Sequence, residues 1–128
     1  MYEAYSYDFT DALDYLTEND LVNPFVVGEN YLTSTNHEHG SQSYYNILAI
    51  KDLVVSFDYY TSTEQGWDRL YVYLNDELVI EQSGQTESQS YSINMTSGDK
   101  LSFVYYKDGS SSEYNDCVYI ENMLIELA

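Results

Sequence analysis

Apolar and polar positions alternate along RLYVYLNDELVIEQSG, residues 69–84, with Leu70, Val72 and Leu74 on one side and Tyr71 and Tyr73 on the other. A period of two is the mark of a half-buried strand. A second apolar run follows Asn75-Asp76, residue types that accept turn dihedrals, so the segment predicts a hairpin. The same alternation recurs in DLVVSFDYY (Leu53, Val55, Phe57, Tyr59) and in SYSINM (Tyr91, Ile93, Met95). After a Ser97-Gly98 turn, KLSFVYY places Leu101, Phe103 and Tyr105 inward. CVYIENMLIEL closes the chain with Val118 and Ile120 in one phase and Met123, Ile125 and Leu127 in the other. A bulge near Asn122 reconciles the two phases.

The first half is less regular. In FTDALDYLTENDL the residues Tyr15, Leu16 and Leu21 hold no sustained helical stripe, which predicts an irregular stretch with one edge strand and one helical turn. NPFVV, ENYLTST and YYNILAI supply further strands, and HEHGSQS reads as a loop. No repeat, low-complexity tract or linker divides the chain. The pattern therefore predicts one all-β domain over 1–128, an antiparallel β-sandwich of about eight strands. Its expected core is Val55, Phe57, Leu70, Val72, Leu101, Phe103, Val118 and Ile120. MYEAYSYDF, without core periodicity, reads as an arm (1–9) that docks on a neighbouring subunit.

Charge narrows the partners. The chain of 128 residues carries four Lys+Arg against 22 Asp+Glu, a net −18. Lys51, Arg69, Lys100 and Lys107 are too scattered to form a basic stripe, so neither nucleic acid nor an anionic membrane is an expected partner. The single cysteine, Cys117, lies in an apolar run and is expected to be a buried thiol. No stretch has the length and apolarity of a transmembrane helix. The N-terminus shows no basic region and apolar core of a secretory signal. Either the signal has been cut away or the protein reaches its place without one, as a particle component released by lysis would; the initiating Met fits the second. Sixteen tyrosines beside a Ser, Thr, Asn and Gln background suit a β domain at a particle or cell surface.

Two loops concentrate candidate chemistry. STEQGWD, residues 62–68, and KDGSSSEYND, residues 107–116, each join consecutive expected strands. If they share one end of the sandwich, Glu64, Asp68, Asp108 and Asp116 can converge. Four carboxylates with no cation among them would repel, and Ca²⁺, which takes six to eight hard oxygens, would resolve this. Two other readings compete: the carboxylates solvate their loops, or Lys107 neutralises them as a salt bridge. As a third course for Lys107, its stem packs on tyrosines with the ammonium in water. His37-Glu38-His39 can put both imidazoles on one strand face, but no third His exists, and a polar loop is the better reading.

A longer pattern runs through Phe57, Tyr59, Ser62, Thr63, Glu64, Trp67, Asp68, Leu70, Val72 and Tyr73. It continues through Ser83-Gly84, Gly98, Leu101, Phe103, Tyr105, Lys107, Asp108, Ser110 and Ser112 to Asp116, Val118 and Ile120. It resembles jelly-roll modules of bacterial surface and bacteriophage structural proteins, similar in plan to CUB and MAM domains. The resemblance implies a CUB-like jelly roll. It also implies a structural calcium site with Glu64, Asp68 and Asp108 as ligands, to which Asp116 would be an addition. The chain departs from CUB in lacking its cysteines and in placing Glu121 where an aspartate is usual.

A glycosidase needs two carboxylates across a sugar cleft, and short loops on a small sandwich offer little cleft. There is no G-x-S-x-G either. The expectation is a non-enzymatic structural or adhesive module, first as a bacteriophage virion protein of the capsid surface, tail or fibre. The alternative is a carbohydrate-binding or cell-surface adhesion module of a bacterial secreted protein, using Trp67, Tyr71, Tyr73, Tyr105 and Tyr106 as stacking surfaces. Expected partners are other virion or surface proteins, a host-surface glycan and a second copy of the chain, at the virion surface or outside the cell.

Overall fold

A computed structural model describes residues 14–35, 41–63, 68–107 and 117–128. Ten strands follow in order: β1 (Tyr15–Asn19), β2 (Val26–Val27), β3 (Leu32–Thr33), β4 (Gln42–Ala49), β5 (Leu53–Ser62), β6 (Arg69–Leu74), β7 (Glu77–Ser83), β8 (Gln89–Met95), β9 (Lys100–Tyr106) and β10 (Cys117–Leu127). They form two five-stranded antiparallel sheets, a front sheet β1-β4-β9-β6-β7 and a back sheet β2-β3-β10-β5-β8. From β3 to β10 the chain changes sheet at every connection except the β6–β7 hairpin. That alternation gives the eight-stranded jelly-roll order, with β1 and β2 added at one flank.

The inward phases of the two sheets meet in one core. Phe57 and Phe103, on the central strands β5 and β9, pack edge to face with centroids 5.2 Å apart. Around them Ile47, Leu53, Val55, Leu70, Val72, Leu101, Val118 and Ile120 are buried, which includes every core position expected from alternation. The hairpin turns at Asn75 and Asp76, with φ of 51° and 70°. Positive φ at both central residues gives the twist that antiparallel strands favour. The bulge falls where the phase change placed it: the β10–β5 register shifts between Glu121 and Leu124, and Asn122 has φ of 51°.

The expected edge strand is Tyr15–Asn19, on β4; no helical turn occurs from residue 14 onward in FTDALDYLTENDL, whose residues 9–13 lie outside the described residues. A strand suits it because Tyr15 packs on the core while Leu16, Thr17 and Glu18 lie outside. HEHGSQS is not a loop throughout, since Gln42 and Ser43 pair with Tyr106 and Tyr105 in β4. Among the described residues the strands number ten, the eight of the jelly roll with β1 and the two-residue β2 added. The expected arm (1–9) lies outside the described residues.

Candidate functional site

The register brings the described flanks of the two acidic loops to one end of the sandwich. Cys117 opposes Ser62, so β10 begins beside the end of β5, and Arg69 opposes Tyr106, so β6 begins beside the end of β9. The expected convergence at one end is thus met by the described flanks of both loops. Of the four proposed calcium ligands, Asp68 is described; Glu64, Asp108 and Asp116 lie outside the described residues, as do His37, His39 and Trp67.

Asp68 is buried, and Lys107 is buried against it, with Nζ 3.4 Å from Oδ2 and both side chains about 1% exposed. The premise that the carboxylates have no cation among them therefore fails, and so does the lysine with its ammonium in water. Alternation explains both positions. Lys107 continues the inward series Leu101, Phe103, Tyr105, and Asp68 precedes Leu70 and Val72 in the same phase. Two charges removed from water are tolerated when each neutralises the other.

Buried hydroxyls and a glycine complete this end. Thr63 Oγ1 donates to the Asp68 carbonyl (3.0 Å) and accepts from the Gly84 amide (2.9 Å). The Gly84 carbonyl accepts from Thr61 Oγ1 (2.8 Å) and from the Thr63 amide (3.2 Å). Gly84 has φ of 87°, a conformation only glycine adopts freely, which lets its two peptide groups serve both threonines. Ser34 Oγ accepts from the Val118 amide (3.0 Å), and the Lys107 amide donates to the Ser41 carbonyl (2.9 Å). These bonds tie the described end of β5 to the residues bounding β6 and β7, the start of β10 to Ser34 and the end of β9 to Ser41. Among the described residues no group of three or more His, Cys, Asp or Glu is placed to hold a metal ion.

A second feature covers the outer face of the front sheet. Tyr71 and Tyr73 point outward from β6 and stack on each other, centroids 6.0 Å apart and 30° between planes. Val104 of β9 opposes both Tyr71 and Tyr44 of β4, so Tyr44 joins the same face. Tyr106 stands beside Arg69 and is 41% exposed. Four tyrosines thus share the outer face of the front sheet, Tyr106 exposed and the other three half-buried. Its rim is polar: Arg69 is ion-paired with Glu81, and the Asn46 amide donates to Glu18 Oε1 at 2.9 Å. Burial, with Tyr71 and Glu81 nearby, pushes the Tyr73 phenol above its ordinary range, so it stays a neutral hydroxyl.

Sequence reasoning placed Tyr71, Tyr73 and Tyr106 near this surface and missed Tyr44. It also included Tyr105, which is a correction: Tyr105 is fully buried in the core, in the phase opposite Tyr106. The signal for Tyr44 was its phase opposite the buried Tyr45. The thiol of Cys117 is buried, as expected.

No protein-family model and no curated protein matches the chain. Among solved structures, the secreted serine protease VesC from Vibrio cholerae is similar over 96% of this chain at 20% identity and a TM-score of 0.76. This chain spans 27% of that one. The module TmCBM61, solved with β-1,4-galactotriose, is a looser likeness: 13% identity, TM-score 0.47, 89% of this chain and 88% of that one. CBM35 from Paenibacillus barcinonensis is looser again, at 16% identity and a TM-score of 0.38 over 91% of each chain. The VesC likeness bears on the fold alone, a β-sandwich shared across nearly the whole length.

Proposed function

We propose that this chain is a non-enzymatic binding module that takes a glycan on the outer face of its front sheet. The surface of Tyr44, Tyr71, Tyr73 and Tyr106 carries this reading. Sugar rings present flat C–H faces that suit exposed aromatic planes, and the neutral phenols, Asn46, Arg69 and Glu81 at the margins supply hydrogen bonds to hydroxyls. The glycan reading, the alternative at the outset, now leads over a purely structural virion role because these four tyrosines share one outer sheet face. None of the similar structures named above is a CUB domain, a MAM domain or a bacteriophage protein. The location that suits the reading is outside the cell or on a particle surface. The test is a glycan array followed by titration. Tyr71→Ala and Tyr73→Ala should each weaken binding about tenfold, while Tyr60→Ala on the back sheet should leave it unchanged. A protein that binds no glycan, or variants that bind like the wild type, would sink the reading.

Calcium belongs to this proposal as a structural ion bridging Glu64, Asp68, Asp108 and Asp116. The Lys107 ammonium competes with it for Asp68, so the described part of the donor set already suits a lysine. An ion binding only the folded state adds about 2.7 kcal/mol at a hundredfold excess over its dissociation constant. We expect calcium to raise the melting temperature, and to raise it more in Lys107→Met, where Asp68 has lost its ammonium. Magnesium should substitute poorly, since it demands a tight octahedron and sheds water reluctantly. Equal melting in calcium and chelator for both proteins would return Asp68 to a purely lysine-paired role.

A further inference from the structure

Sheet edges invite pairing with other chains, and folded proteins usually protect them with charge, bulges, proline or brevity. Three edges here follow that rule. The edge strand β1 carries Glu18, β7 carries Glu77 and Glu81 and a bulged register, and β2 has two residues. The fourth, β8, does not. QSYSINM holds no charge and no proline, and it pairs with β5 in unbroken register from Leu53↔Met95 to Tyr59↔Gln89. Among the described residues no strand pairs with its other side.

Beside that edge the outer face of the back sheet sinks into a shallow cavity of about 340 Å³. Ser56, Ser90 and Ser92 form its floor, being too short to fill it, and the Asp58 carboxylate stands in it. Asp58 Oδ1 accepts from Ser90 Oγ (2.7 Å) and Oδ2 from Asn122 Nδ2 (2.8 Å). Those bonds, Ser90 first, hold its pKa below the ordinary carboxylate value, so it is ionised at neutral pH. Glu121 opposes Asp58 directly across β10, a like-charge pair that costs stability unless a cation answers it. None of the four Lys and Arg side chains does. Lys51 pairs with Asp14, Arg69 with Glu81 and Lys107 with Asp68, while Lys100 lies on the front sheet.

We propose that the free edge of β8 accepts an extended, arginine-bearing protein segment as a sixth strand of the back sheet, with an arginine crossing the serine floor to Asp58. Strand addition supplies main-chain hydrogen bonds, and alternate side chains of the added segment fall on the outer face. An added strand lies two strand spacings from β5, a gap that the long stem of arginine spans and that the serines leave open. The planar guanidinium suits a carboxylate already fixed by two hydrogen bonds. A second copy of the chain is the poorer occupant. Joining two β8 edges would place two Asp58–Glu121 pairs on one continuous sheet face, with no Lys or Arg paired to either, between chains of net charge −18.

The experiment uses the full chain and a fluorescein-labelled nonapeptide alternating threonine with arginine. One control peptide has glutamine for each arginine; another keeps the arginines but carries proline at alternate positions. The first peptide should bind one to one, and both controls about tenfold more weakly. Asp58→Asn should weaken binding about fivefold, and Ser92→Lys, which puts an ammonium into the cavity, should abolish it. Asp76→Asn, an equal change in net charge at the β6–β7 turn, should leave it unaltered. Amide exchange across residues 90–94 should slow on binding. The proposal is overturned if the proline peptide binds as well as the first, since that is general charge attraction. It is equally overturned if Asp58→Asn behaves like Asp76→Asn, if exchange in β8 does not change, or if the protein dimerises through β8 without peptide.

Discussion

Lys107→Met is expected to cost about 3–5 kcal/mol of folding stability, because it leaves the buried Asp68 carboxylate without its ammonium. The side chains are nearly matched in length, so the effect reports charge rather than a cavity. Asp68→Asn should also destabilise, by removing the carboxylate charge 3.4 Å from the buried ammonium, although charge repulsion among carboxylates alone would suggest a neutral change. The double variant should recover part of the loss, since it removes both charges of the pair, and a double-mutant cycle should show coupling of about 1–3 kcal/mol. The Lys107→Met penalty should also shrink as pH falls, because a proton can cancel the buried negative charge. Urea unfolding at two pH values measures all of this. Single variants as stable as the wild type would show that the pair is not buried as described.

Phe103→Ala should cost a comparable 3–5 kcal/mol, through a different mechanism. Phe103 is fully buried on the central strand β9 and meets Phe57 of the opposite sheet at 5.2 Å. Deleting the ring loses its transfer energy and opens a cavity where the sheets grip each other. Phe103→Leu should lose far less, because it keeps most of the volume. Total stability for a domain of this kind is about 5–15 kcal/mol, so the alanine variant stands near the edge of folding. An alanine variant within about 1 kcal/mol of the wild type would mean that the sheets close over the gap.

Alternation carried the sandwich far. The strands, the Asn75-Asp76 hairpin, the phase change at Asn122 and the buried faces of β5, β6 and β9 were all readable, because side chains on a strand alternate strictly between core and solvent. The same rule, carried two residues further, would have turned Lys107 and Asp68 inward. A lysine at a strand end is by default assigned to water, and only its partner's position makes burial tolerable. Tyr105 and Tyr106 show the complementary limit. Composition treats them alike, while the pleat sends one to the core and the other to the surface.

What the sequence determined by itself is local: which segments are strands, where they turn, and which face of each is apolar. Pairing belongs to the tertiary structure, because partners distant along the chain are chosen by the joint burial of many faces at once. Only that structure set Tyr44 beside Val104 and Tyr71, brought Lys107 to Asp68, and left β8 with one unpaired edge among the described residues. Each of these joins residues from separate strands, and the hydrophobic pattern of one strand carries no information about its neighbours. The charge balance was known from composition, but its consequence was not. Once Lys51, Arg69 and Lys107 are ion-paired elsewhere and Lys100 lies on the front sheet, Asp58 and Glu121 stand together on a face to which no Lys or Arg is paired.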